Sequence, residues 1–169
     1  MEQAFIDLVV YRVIEKFQME EEFYGKQLGL TEEDWEKWKR GHLLLSDEAI
    51  QQIVLLFSDY EWMLVQKVIL QTKIIPEKLY TAVADYQKMS ATIAKKWLTT
   101  DIATIEIVEK LQEENKLDKM IEVRIIMSYD SWGYSDILTF FFPAVDRNKV
   151  AGSRRELIQF MTEIYTEKE

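Results

Sequence analysis

Apolar residues recur every three or four positions through most of this chain, then alternate strictly from about residue 121. The first pattern reads as helices and the second as strands. Over residues 2–18, Phe5, Leu8, Val9, Arg12, Val13, Lys16 and Phe17 keep helical spacing, with the apolar members on one face. A short helix is expected over 20–28. Thr31 then caps a third helix, with Asp34 three residues later as a shortened capping box, and Gly41 closes it. Ser46 opens a fourth helix carrying Ile50, Ile53, Val54 and Phe57. Ser58-Asp59-Tyr60-Glu61 is a full capping box that opens a fifth, running to about residue 74. That fifth helix is apolar nearly all round, so burial on two sides is expected.

Pro76 suits the first position of the next helix, which continues to about residue 97 through Tyr80, Val83, Ala84, Ala91 and Ala94. A further helix is expected over 101–114, with Ile102, Ile105, Val108 and Leu111 on one face. The alternating run from Ile121 to Tyr129 is a strand, Ile137 to Phe142 is a second, and Gly133 supplies the turn of an antiparallel hairpin between them. Alternation sends Phe141 to one face and Phe140 and Phe142 to the other. Ser153-Arg154-Arg155-Glu156 caps a final helix. A lone hairpin is marginal in water, so this one must pack on helices or pair with a second subunit.

The chain has 169 residues, 48% of them hydrophobic, which is enough to bury a core. It has no cysteine, which excludes disulfides and thiolate zinc sites. No apolar run approaches the roughly 18 residues of a membrane span, and the N-terminus lacks the basic region of a secretory signal; a soluble, cytoplasmic protein is expected. The formal net charge is -9. Split at Pro76, residues 1–75 carry -6 and residues 76–169 carry -3. Phosphate therefore gains no general attraction, and any nucleic-acid contact must rest on a local patch.

The segment from Gly25 to Gly41 holds two short helices around a tight glycine turn. Gly29 sits where a positive φ is needed, Gly25 is the small residue expected to let the helices cross closely, and Tyr24, Leu28, Leu30, Trp35 and Trp38 are the apolar contacts. Leu28-Gly29-Leu30-Thr31, followed by Trp35, Trp38 and Arg40-Gly41 and then by Leu45-Ser46, Ile50, Ile53 and Phe57, resembles the phage-repressor (Xre-like) helix-turn-helix family across the first third of the chain. The resemblance implies an N-terminal helix-turn-helix bundle over residues 1–75; the residue pattern alone adds a helical region over 76–169 with the hairpin and final helix, read as a regulatory or dimerisation region, so the expected fold is mainly α. The resemblance also implies a DNA-binding transcriptional regulator, bacterial or phage, in which the second helix of the motif enters the major groove of double-stranded DNA. By motif position, Thr31, Glu36, Lys37 and Arg40 would face the groove, with Lys39 and His42 near phosphate. The family commonly carries Ser, Gln, Asn or Arg at the outward positions, where this chain has Glu32, Glu33 and Glu36, and the two tryptophans are bulkier than its usual buried residues.

Acidic residues in a first helical turn are also favoured by the helix dipole, so Glu32, Glu33 and Asp34 equally suit a plain helix start. Glu32, Glu33 and Glu36 also suit a surface for a basic protein partner, which leaves an interaction module that has lost DNA reading as the alternative function. His42 is the one histidine, with no adjacent serine or cysteine to form a hydrolytic triad. No phosphate-binding glycine loop, calcium loop or His-Glu-x-x-His helix is present, so no enzyme activity, cofactor or metal is expected. Trp132, Tyr134 and Phe140 to Phe142 concentrate aromatic surface around the hairpin, either for packing within the subunit or for a homodimer interface or ligand pocket. Lys95, Lys96, Arg147, Lys149, Arg154 and Arg155 read as solvated basic positions, the last four also as candidates for an auxiliary phosphate contact.

Overall fold

The computed structural model describes residues 2–108, 120–129 and 133–165. It is mainly helical, with one three-stranded antiparallel sheet. Two compact units divide the chain, Met1–Tyr86 and Gln87–Glu169. Among the described residues no helix is long and apolar enough to cross a membrane.

The first unit holds α1 (Gln3–Phe17), α2 (Glu20–Tyr24), α3 (Glu32–Lys39), α4 (Asp47–Val54), α5 (Asp59–Ile74), a 3-10 turn (Pro76–Thr81) and the start of α6 (Ala82–Leu98). Local chemistry sets most boundaries. The side chains of Thr31, Ser46 and Ser58 accept from the backbone N–H groups of Asp34, Ala49 and Glu61, and Glu61 returns the bond to the Ser58 N–H. Each cap satisfies a donor that the first turn would leave unpaired, worth about 1 kcal/mol. Pro76 stands at the first position of the 3-10 turn, as its missing N–H permits. The unit runs past Pro76 because this turn packs on α1 and α5.

Aromatic rings form the core of this unit. Trp35 and Trp38 are buried and stacked 4.8 Å apart. Trp35 meets Phe23 and Tyr24 of α2 at 6.1 and 5.6 Å, and Trp38 meets Phe5 of α1 at 6.4 Å. Phe5 continues the chain of contacts to Trp62 of α5 at 6.0 Å. The bulk that sets the two tryptophans apart from smaller buried residues is thus what ties α3 directly to α1 and α2, and through Phe5 to α5.

Three expectations for this unit change. The helix expected over 20–28 ends at Tyr24, and residues 25–27 continue as turns before Gly29 reverses the chain at φ 65°. Gly25 does not relieve a helix crossing: a Cβ there would meet the Glu21 carbonyl oxygen of the preceding turn at 2.9 Å. And α5 is buried on one side only. Leu64, Val65 and Val68 face the core, whereas Met63, Leu70 and Ile74 are 51%, 56% and 71% exposed. Apolar character all round a helix does not specify a second neighbour.

The second unit departs further. Residues 101–114 were expected as helix, but Ala103–Val108 is a strand, β1, while Leu111 and Glu114 lie outside the described residues. The i, i+3 spacing of Ile102, Ile105 and Val108 fits a helix, yet Thr104, Ile105, Ile107 and Val108 are all β-branched and favour a pleated surface. Pairing with β2 (Met120–Tyr129) decides the outcome, with Ile105 opposite Ile125 and Ile107 opposite Val123. β2 pairs in turn with β3 (Tyr134–Pro143), which starts three residues before the expected strand, and the order is β1-β2-β3. The expected hairpin therefore forms, as part of a larger sheet.

Ile121, Val123, Ile125, Leu138, Phe140 and Phe142 share one buried face of that sheet. A 3-10 turn (Ala144–Asp146) and the short α7 (Arg147–Val150) lead from β3 to α8 (Arg154–Tyr165). α8 covers the buried face, its Phe160 ring 5.3 Å from Phe142 and its Tyr165 ring 5.9 Å from Phe140. Ser153 caps α8 by accepting from the Glu156 N–H.

Arg154, expected on a solvated face, instead reaches back to the end of α6. Its guanidinium donates to the carbonyls of Leu98, Thr100 and Ala103. Those carbonyls close α6 and open β1, where the helix dipole favours a cation. Charge-assisted bonds of this kind are worth about 1.5–3 kcal/mol, so Arg154→Met should cost on the order of 2 kcal/mol. Urea unfolding is the check, and an unchanged midpoint would show that the three contacts contribute nothing net.

Candidate functional site

The surface of α3 is built by its own periodicity. At about 100° per residue, Trp35 and Trp38 define the inward side. Glu33, Glu36, Lys37 and Arg40, spaced i, i+3, i+4, i+7, fall on the side directly opposite. Burial agrees: Glu33, Lys37 and Arg40 are exposed and Glu36 is half-buried. This outward stripe carries two carboxylates and two cations. Glu32 and Asp34, which made the helix look acidic, flank the stripe.

Charge also changes along the helix axis. The first turn holds Glu32, Glu33 and Asp34, and the last turn holds Lys37 and Lys39. Both ends complement the helix dipole. The basic end is closed by a double hydrogen bond in which the Gly41 N–H donates to the Trp38 carbonyl at 2.9 Å and the His42 N–H to the Lys37 carbonyl at 2.8 Å. Gly41 has φ 77°, a conformation a side chain would strain, and this arrangement is the Schellman stop. It leaves Arg40 and His42 exposed just past the helix end.

The predicted residues are not equivalent in this setting. Thr31 is exposed, and its hydroxyl oxygen is used in the cap. Lys37 pairs with Glu33 at 2.7 Å, an exposed i, i+4 contact that holds the ammonium pKa up and the carboxyl pKa down. Glu36 pairs with Lys39 at 2.8 Å. Lys39 also meets Glu20 of α2 at 3.0 Å and is only 23% exposed. Burial would lower the Lys39 pKa, but the bonds to Glu36 and Glu20 outweigh it and raise it. Burial would likewise raise the Glu20 pKa, and hydrogen bonds from Trp35 and Lys39 hold it down. Arg40 and His42 have no side-chain partner among the described residues.

A second polar cluster was not singled out from the sequence as a unit. Arg12 of α1 and Glu61 of α5 form an ion pair at 2.5 Å with their side chains 2% and 3% exposed. The same guanidinium nitrogen lies 2.9 Å from the Tyr86 hydroxyl, and the guanidinium carbon is 5.0 Å from the centre of the Phe57 ring. Burial alone would lower the Arg12 pKa, and the facing Glu61 carboxylate reverses this and raises it. Burial also raises Tyr86. Arg12, Glu61 and Tyr86 are almost wholly enclosed, with Glu15 at 3.8 Å from Arg12 on the more exposed side, and the cluster acts as a clamp on the helices of the first unit.

Among the described residues no three His, Asp or Glu side chains are placed to share a metal ion. Comparison with protein-family models, with curated protein sequences and with solved structures gives no match for this chain.

Proposed function

We propose that this protein is a DNA-binding transcriptional regulator of the Xre-like helix-turn-helix type. The observation that carries the reading is the α3 stripe of Glu33, Glu36, Lys37 and Arg40, which stands opposite Trp35 and Trp38 on the helix that follows the Gly29 turn. In this reading Lys37 and Arg40, turned to the groove, reach the phosphates that flank it, and His42 meets phosphate at the basic end of α3. Thr31 and Glu36 face base edges, where a carboxylate can accept from cytosine N4. Lys39 belongs to the same end but is held by carboxylates. The net charge of -9 is a weaker objection than it looks, because charges beyond about 8 Å are largely screened at physiological salt. The stripe itself is balanced. The exposed Lys37–Glu33 pair is screened by solvent and yields readily to a phosphate. Dimerisation through residues 76–169 would place two readers on half-sites about one helical turn apart.

Selection from random duplex DNA tests this. An enriched pseudo-palindrome is the expected result, and no enrichment at low salt from folded protein would remove the reading.

One observation favours a second reading, a protein-interaction module on the same scaffold. Lys37 and Lys39 already have carboxylate partners, while exposed Glu32 and Glu21 both act on Tyr24 and half-buried Asp34 flanks the stripe. A basic partner would then be captured by the wild type and lost on charge reversal of Glu32, Glu33 and Glu36. Capture retained by that variant would count against it.

A further inference from the structure

Resting on the DNA reading, the geometry points to Glu20 as a built-in restraint on α3, a carboxylate that withholds Lys39 from nucleic-acid phosphate. One oxygen of Glu20 makes both contacts: it accepts from the Trp35 indole N–H at 3.0 Å and from the Lys39 ammonium at 3.0 Å. The indole belongs to Trp35, a side chain only 1% exposed, so it fixes the carboxylate in place against the helix. Lys39 is drawn to the α2 side of α3, away from the Glu33–Arg40 stripe, and is mostly withdrawn from water. Glu36 grips it from the other side, as an i, i+3 pair at 2.8 Å. Lys37 is held by one exposed carboxylate that phosphate can displace, whereas Lys39 sits between two, one of them anchored. The lysine next to Arg40 is therefore silent in the resting protein, and the contact that silences it is Glu20.

Glu20→Gln keeps an oxygen to accept from Trp35 and removes the charge that holds Lys39. Only the surface i, i+3 pair with Glu36 then remains. The probe is a duplex selected as above, or a random duplex of equal length, titrated against salt. Lys39→Gln in the wild type is expected to leave the salt slope unchanged. Glu20→Gln is expected to steepen the slope by about one phosphate contact and to tighten binding roughly tenfold near 50 mM salt. Glu20→Gln combined with Lys39→Gln is expected to return to the wild-type slope. A flatter slope for Lys39→Gln alone would overturn the inference, because Lys39 would already be on phosphate. An unchanged slope for a folded Glu20→Gln variant would also overturn it, with the DNA reading left intact. Binding by neither wild type nor variant would remove the DNA reading, and the restraint with it.

Discussion

Arg12→Ala should destabilise the first unit by about 3–5 kcal/mol. The cost comes from what the substitution leaves behind. Glu61 is enclosed, and without the guanidinium at 2.5 Å its carboxylate stays buried with no opposing charge. Tyr86 loses the hydrogen bond at 2.9 Å, and the Phe57 ring loses the cation above it. Breaking one side of a buried pair costs that much, whereas replacing both partners by apolar groups of similar volume is often neutral. Arg12→Met combined with Glu61→Leu should therefore recover most of the loss, less the capping bond that Glu61 also provides to the Ser58 N–H. Since whole domains are stable by only about 5–15 kcal/mol, the single variant should be close to unfolding at ambient temperature. Urea titration followed by tryptophan fluorescence is suitable, because Trp35, Trp38 and Trp62 all lie in this unit. A loss below about 1 kcal/mol for Arg12→Ala would show that water reaches the site and that the pair is not a clamp.

The second large effect is on function. Lys37→Ala combined with Arg40→Ala should weaken binding to a selected duplex by roughly 50-fold near 0.1 M salt, as two phosphate contacts are lost. Both side chains are exposed, so the fold should not suffer. The one ion pair removed, Lys37 with Glu33, lies on the open surface, where solvent screening leaves it little weight in stability. A urea midpoint within error of the wild type is the expected control. Unchanged affinity would show that DNA, if bound, is bound elsewhere.

Much of the first unit was legible because its signals are local. Thr31, Ser46 and Ser58 act within three residues of themselves, and Gly29 and Gly41 supply positive φ where the chain reverses or stops. The stripe on α3 follows from period alone once Trp35 and Trp38 are known to face inward. What could not be read is what depends on distant partners. Arg12 looked like one more position in a helical run, and Glu61 lies 49 residues away. Arg154 looked solvated because its acceptors are backbone carbonyls more than 50 residues earlier, which no side-chain pattern reveals. Ala103–Val108 satisfies both a helical and a strand reading, and only its register against β2 separates them. On α3 itself, the sequence indicated Lys39 as a phosphate contact. Its capture by Glu20 depends on how α2 packs against α3 through Trp35.

The central claim is that the α3 stripe meets nucleic-acid phosphate. The most direct measurement is the affinity of the wild-type protein for a selected duplex as a function of salt, beside the Lys37→Ala, Arg40→Ala double variant. A linear fall of log affinity with log salt is expected in the wild type, and a slope shallower by about two phosphate contacts in the variant. Equal slopes in the two proteins, or no binding to any duplex near 50 mM salt by folded wild type, would contradict it.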